Sequence, residues 1–170
     1  MNSIKVFITV FLISSVFGFH SFAETPKKLG SSLKFDTSLP LEITSDKLTI
    51  EQNIGQAIFI GNVIANQGDL ILTAGEVIVE YQIIDSRMTS NMQKLKASMG
   101  VTIISATQNA EANSVIYDIK GETIVMNGNV LLKEGVSATS GDKLTINLQS
   151  GSRRMEGNVR TLILSEEKNE

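Results

Sequence analysis

The chain of 170 residues has no cysteine, no tryptophan, one histidine and two prolines. Without cysteine there are no disulfides, no thiolate nucleophiles and no thiolate-ligated metal. Charge of one sign is also lacking. A net charge of −3 and a pI near 5.3, with acidic and basic residues interspersed, leave no broad positive footprint for a nucleic acid. Low-complexity architectures would need far more Gly and Pro, and disorder would need less Val, Ile and Leu. Stability must come from a packed core.

The longest apolar run, Val6 to Phe19, follows a lone Lys5 and is followed by Ser21-Phe22-Ala23. Its fourteen residues suit a signal-peptide core and fall short of the ~20 needed to span a bilayer, so residues 1–23 are expected to be a secretory signal cleaved after Ala23. Cleavage would also remove His20, the only histidine. Histidine-based triads, histidine general bases and nearly all zinc or redox-metal sites are then excluded. We expect no enzyme, no catalytic residue, no metal and no cofactor. Glu76, Glu80 and Asp85 lie near one another in sequence and read as solvated carboxylates. Residues 24–38, which include Lys27, Lys28 and Lys34, read as a flexible segment, and 165–170 as a charged tail.

From Leu41 onward apolar and polar residues alternate, rich in Ile, Val and Thr, with little helical periodicity. This is a strand pattern. Breaks fall at Asn53-Ile54-Gly55, Asn66-Gln67-Gly68-Asp69, Lys120-Gly121-Glu122, Lys133-Glu134-Gly135 and Gln149-Ser150-Gly151-Ser152. Strands are expected near 41–50, 56–66, 69–73, 76–81, 95–104, 113–119, 122–132, 136–139, 142–148 and 152–164, with a looser connection at Gln82–Gln93.

Gly-Asn-Val recurs at 61–63, 128–130 and 157–159, with Met99-Gly100-Val101 as a degenerate copy. A second element, Ser45-Asp46-Lys47-Leu48-Thr49-Ile50, recurs at 140–146 and more weakly at Ala74-Gly75-Glu76 and Ala112-Asn113-Ser114. Aligned on Asp46, Glu76, Asn113 and Asp142, the steps are 30, 37 and 29 residues. A period of that length made of two strands predicts stacked β-hairpins. The parity that stays apolar in every copy holds Leu48, Ile50, Phe59, Val63, Leu70, Leu72, Val77, Val79, Ile124, Met126, Val130, Leu132, Leu144 and Ile146, and is the expected inner face. Ile58, Ile60, Ile64, Ile71 and Ile78 fall on the other face, which is less polar than a solvated face should be.

Ordered along the chain, Pro40-Leu41-Glu42-Ile43-Thr44-Ser45-Asp46, Phe59-Ile60-Gly61-Asn62-Val63, Ala74-Gly75-Glu76-Val77, Glu111-Ala112-Asn113-Ser114-Val115-Ile116-Tyr117 and Met126-Asn127-Gly128-Asn129-Val130 resemble the LptA, or OstA-like, family of periplasmic lipopolysaccharide transport proteins. The resemblance covers roughly Leu39 to Met155. It implies an all-β fold over 39–164: an open β-jellyroll, two facing antiparallel sheets enclosing a twisted groove. It implies a periplasmic protein that stacks head to tail into a homo-oligomeric bridge. Lipopolysaccharide would arrive from an LptC-like inner-membrane protein and leave for an LptD-like outer-membrane protein, its lipid A acyl chains in the groove. Nucleic acid is not an expected partner.

By local alignment the resemblance places lipid contacts at Leu41, Met99, Tyr117 and Ile119, with Thr37 outside the matched stretch. Ile43 and the inner-face residues Leu48, Ile50, Phe59, Leu70, Leu72 and Met126 complete the candidate lipid-binding set. The chemistry fits such a task. Each exposed methylene costs about 0.8 kcal/mol, so a chain of roughly a dozen carbons needs on the order of 10 kcal/mol of shelter. The terminal β segments, Leu41–Ile50 and Asn158–Leu164, would be the docking strands. The competing readings are a structural, self-assembling β-repeat protein with a filled interior, and an LptC-like component held at the membrane by an uncleaved N-terminus.

Overall fold

A computed structural model describes residues 39–163, and the expected signal, the segment 24–38, Leu164 and the tail lie outside the described residues. Ten strands follow one another: β1 (Glu42–Thr44), β2 (Lys47–Glu51), β3 (Gln56–Gln67), β4 (Leu70–Ile84), β5 (Arg87–Ile104), β6 (Gln108–Asp118), β7 (Thr123–Glu134), β8 (Ser137–Asn147), β9 (Arg153–Glu156) and β10 (Arg160–Leu162). Every pairing is antiparallel, and β3 to β8 pair in chain order, β3-β4-β5-β6-β7-β8. β1 and β2 share the outer side of β3, and β9 and β10 share that of β8. Among the described residues no ladder joins the first strands to the last, so the sheet is open.

The hairpin repeat is visible in the bends. Register breaks fall between Ile60 and Val63, Thr73 and Glu76, Ser98 and Val101, Glu111 and Ser114, and Asn127 and Val130, one line of bulges crossing the whole sheet. The second strand of each hairpin turns there through two residues of positive φ: Gly61-Asn62, Met99-Gly100, Gly128-Asn129 and Gly157-Asn158. The first strand places Asp46 or Asp142 over the bend, where Asn62 Nδ2 and Asn158 Nδ2 each donate to the aspartate Oδ2 at 2.9 Å. At Gly61 and Gly157 glycine serves twice, supplying the left-handed φ and leaving room for the aspartate that a Cβ would strike. The second hairpin has Gly75 in this column, since Glu76 pairs Ser98 just as Lys47 pairs Ile60 and Lys143 pairs Glu156. The repeat is therefore anchored one residue earlier than the alignment on Glu76.

Two further expectations change. The stretch Gln82–Gln93 is not a loose connection: β4 and β5 run on through it to a two-residue turn, Asp85-Ser86, both with positive φ. That is the geometry of a type I′ hairpin, which a pair other than Asn-Gly rarely signals in sequence. The segments expected at 69–73 and 76–81, and at 136–139 and 142–148, are single strands interrupted only by a bulge. Those at 41–50 and 152–164 are each divided at the same line into two short strands.

The line of bulges folds the meander into two facing layers, so the two sheets are halves of one continuous ladder. Leu72, Ala65 and Ala110 in one half and Val77, Met126 and Ile146 in the other have no exposed surface, which a single uncovered sheet could not achieve. Each half is the other's cover. The residues of the expected inner face meet across strands in rows, as in Phe59–Val77–Ala97–Val115–Met126–Leu144. Ile58 opposes Ile78 on the outer face, both half-buried, and Ile60, Ile64 and Ile71 there are exposed.

Candidate functional site

The layers are packed together in the middle and end in free margins opposite the bulges, where strand tips of the two halves approach. At the N-terminal end the tips leave a cleft of about 530 Å³. One wall is Leu39, Leu41 and Gln67; the other is Ser90, Asn91, Met92, Gln93 and Ile119. A space of this size is typical of small-ligand sites, about 300–1,000 Å³. Among the described residues no ionisable side chain lines it.

Both walls are held by polar contacts at their backs. Thr89 Oγ1 donates to the Gln82 carbonyl at 3.0 Å, Asn91 Nδ2 donates to Gln82 Oε1 at 3.1 Å, and the Ile119 amide donates to the Gln93 carbonyl at 3.0 Å. These bonds stiffen the extended β4–β5 hairpin and present Met92 and Ile119 together. On the facing wall Gln67, only 4% exposed, donates through Nε2 to the Leu39 carbonyl at 3.0 Å.

The C-terminal end is built differently. Arg153 on β9 occupies the inward row opposite Ile146, and its Nη1 lies 2.8 Å from Glu134 Oε2 at the tip of β7 in the other layer. Gln108 Nε2 donates to the second oxygen of Glu134 at 2.7 Å. One carboxylate thus ties both layers together. Charge-assisted bonds of this kind are stronger than neutral ones, though the half-exposed Glu134 is screened by solvent.

Residues 42–152 match the family described as LptA/(LptD N-terminal domain) LPS transport protein. The chain belongs to this family. An uncharacterised protein of Rhizobium meliloti is 32% identical over 128 residues, covering 73% of this chain and 69% of that one. The lipopolysaccharide export system protein LptA of Haemophilus influenzae is 23% identical over 137 residues, 78% of each chain. Among solved structures, LptH of Pseudomonas aeruginosa, the LptA-homologous periplasmic component of its lipopolysaccharide transport device, superposes with a TM-score of 0.67 at 13% identity, over 78% of this chain and all of that one. That likeness establishes a shared fold.

Within this LptA-like sheet the candidate lipid-binding residues are not equivalent. Leu70, Leu72, Tyr117 and Met126 are buried. Leu41, Ile43, Phe59 and Ile119 are partly buried against that core, and of these Leu41 and Ile119 line the cleft. Leu48 and Ile50 share the inward rows but lie on the edge strand β2, 50% and 53% exposed. Met99 is not brought to the others. It is 73% exposed on the outer crest of the bend, its side chain against Gly75, because the bulge inserts a residue and breaks the alternation that would have turned it inward. Thr37 is outside the described residues.

Leu39, Gln67, Asn91 and Met92 were missed by sequence reasoning. Gln67 read as part of a turn, and Asn91 and Met92 fell in the stretch taken for a loose connection. Only the alternation of Ile84, Met88 and Met92 within it hinted at strand. Tyr117 shows how dry the interior is: burial pushes its phenol above the ordinary 10.0, and the charge of Glu122 adds to this. Of the three carboxylates considered above, Glu80 pairs with Lys96, Glu76 accepts from Ser98 Oγ at 3.1 Å, and Asp85 sits in the turn between β4 and β5. Among the described residues no group of three His, Asp or Glu could hold a metal.

Proposed function

We propose that the chain is a periplasmic carrier of lipopolysaccharide that shelters acyl chains between its two layers and joins other jellyrolls end to end between the inner and outer membranes. The observation that carries this reading is the cleft at the margin of an unclosed sheet, apolar at Leu39, Leu41, Met92 and Ile119. The reading rests also on the family and on its LptA and LptH relatives. Because the middle is packed, acyl chains would enter at the margin and slide along it, with Ile43, Phe59 and the partly buried Tyr81, Leu148 and Met155 as the adjoining surface. The outer edges of β1–β2 and of β9–β10 have no partner among the described residues, which suits addition of a strand from a second copy, from an LptC-like protein at one end or from an LptD-like protein at the other.

Photocrosslinking tests the carrier reading. A crosslinker at Ile119 or Leu41 should capture lipopolysaccharide in cells with an active transport system, and one at Met99 should not. A folded protein that yields no adduct at either cleft position would defeat the proposal. The packed middle favours the second reading, a structural β-repeat protein that only assembles; it predicts adducts between copies at β2 and β10 and none with lipid. Thr161→Pro on β10 should abolish end-to-end association under both readings, since proline lacks the donor that an added strand requires.

A further inference from the structure

The two free edges of the sheet carry mirrored charge patterns. On the outer face of β1 and β2 stand Glu42, Lys47 and Glu51, two acids and one base; on that of β9 and β10 stand Arg154, Glu156 and Arg160, two bases and one acid. All six are exposed, and among the described residues none is in an ion pair. The exception on each edge falls on the same line. The cross-strand row that starts at Lys47 on β2 ends at Glu156 on β9, while the rows of Thr49 and Thr44 end at Arg154 and Arg160.

Strand directions match as well. Five antiparallel steps separate β3 from β8, so the two run oppositely, and β2 beside β3 runs against β9 beside β8, as β1 does against β10. A second copy in the same orientation continues the sheet, its β2 antiparallel to β9 and its β1 antiparallel to β10. The bends fix the register. Both halves pair at once only where the bend between β1 and β2 meets the bend between β9 and β10, which carries every row unbroken across the junction. Lys47 then lies opposite Glu156, and the half-exposed Leu48 is covered by Met155 on the inner face. Arg154 comes diagonally beside Glu51 and Arg160 beside Glu42, within reach of long side chains. We propose that the two edges are a self-recognition surface whose partner is a second copy of this chain, and that the Lys47–Glu156 pair, flanked by the two arginine–glutamate diagonals, selects that partner. The inference rests on the end-to-end part of the reading above and deepens it by naming which partner the edges fit. Any free strand supplies backbone donors and acceptors, whereas this order of charges is met by the chain's own opposite edge.

Charge is tested by sedimentation of the purified, exported chain at low salt. Lys47→Glu and Glu156→Lys should each weaken self-association about fivefold, and both changes in one chain should return it to within about twofold of the original. The two single variants mixed in equal amounts should also recover, since alternating copies then join opposite charges at every junction, a rescue that a folding defect cannot produce. Added salt should weaken the unmodified assembly. Register is tested by trapping, because the chain has no cysteine of its own. Leu48→Cys mixed with Met155→Cys should give a disulfide-linked dimer on mild oxidation, as directly opposite residues lie within disulfide reach; Ile50→Cys mixed with Met155→Cys should not, since diagonal neighbours are about 7–8 Å apart. Single variants that associate like the original, a double variant and a mixture that both fail to recover, or trapping at 50 and 155 in place of 48 and 155 overturns the proposal and leaves lipid carriage standing. An unmodified chain that stays monomeric also overturns it and assigns the edges to other proteins. The carrier reading stands or falls separately, on the lipid adducts at Ile119 and Leu41.

Discussion

The two ends of the slot between the layers are made from the same inward rows and finish in opposite ways. The row Ala57–Val79–Leu95–Tyr117–Ile124–Ile146 extends to Ile50 on β2 at one side and to Arg153 on β9 at the other. At the β9 end a charge faces inward and Glu134 of the opposite layer answers it. At the β1–β2 end apolar and amide side chains face one another and leave a cleft. The difference teaches that the fold alone does not decide where such a sandwich opens; a few side chains at the strand tips do.

The largest effect should come from what the ends share. Met126 has no exposed surface, and Met126→Ala should cost about 2–5 kcal/mol in urea unfolding. Amide exchange should rise at both ends together; a rise at one end alone would mean that the ends are stabilised independently. Glu134→Leu comes next, leaving Arg153 and Gln108 without their acceptor. We expect a loss of about 1–2 kcal/mol, less than for a deeply buried pair because Glu134 is half exposed. Exchange should quicken at β9 and at the turn before Ser137 and stay unchanged at Gln67. High salt should reproduce part of that loss.

The same comparison predicts a reversed outcome at the open end. Leu41→Ala should cost only about 1 kcal/mol of stability, since the side chain is already partly exposed, yet should weaken acyl binding measured by probe displacement. The smallest effect is one of pH. Because the folded-state pKa of Tyr117 is raised above 10.0, its contribution is fully present below that value and is lost as pH rises through the folded pKa. Urea midpoints should therefore begin to fall as pH rises past about 10 and keep falling towards the raised folded-state pKa. Tyr117→Phe should flatten the fall.

Much of the fold was legible because strand alternation and the Gly-Asn repeat are local signals. Each Gly-Asn pair marks a bend that other residues could form only with strain, and the apolar parity identifies the face that must be covered. The site was less legible. Met99, assigned by the resemblance, stands on the outer crest because a bulge resets the alternation there, and Asn91 and Met92 were hidden by the turn at Asp85-Ser86, whose left-handed geometry its residues scarcely advertise. Gln67 carries no sequence signal of a cleft; its place on the wall depends on its bond to the Leu39 carbonyl and on residues distant in the chain.

The amino-acid sequence by itself determined an all-β chain of hairpin repeats, with bends at the glycines and one face apolar, since φ preferences and alternation act over a few residues. Only the tertiary structure decided that the two facing layers belong to one sheet, that Arg153 and Glu134 meet across them, and that a cleft remains at Gln67. Those outcomes depend on how far a folded sheet brings its distant margins together, a distance that no local pattern encodes.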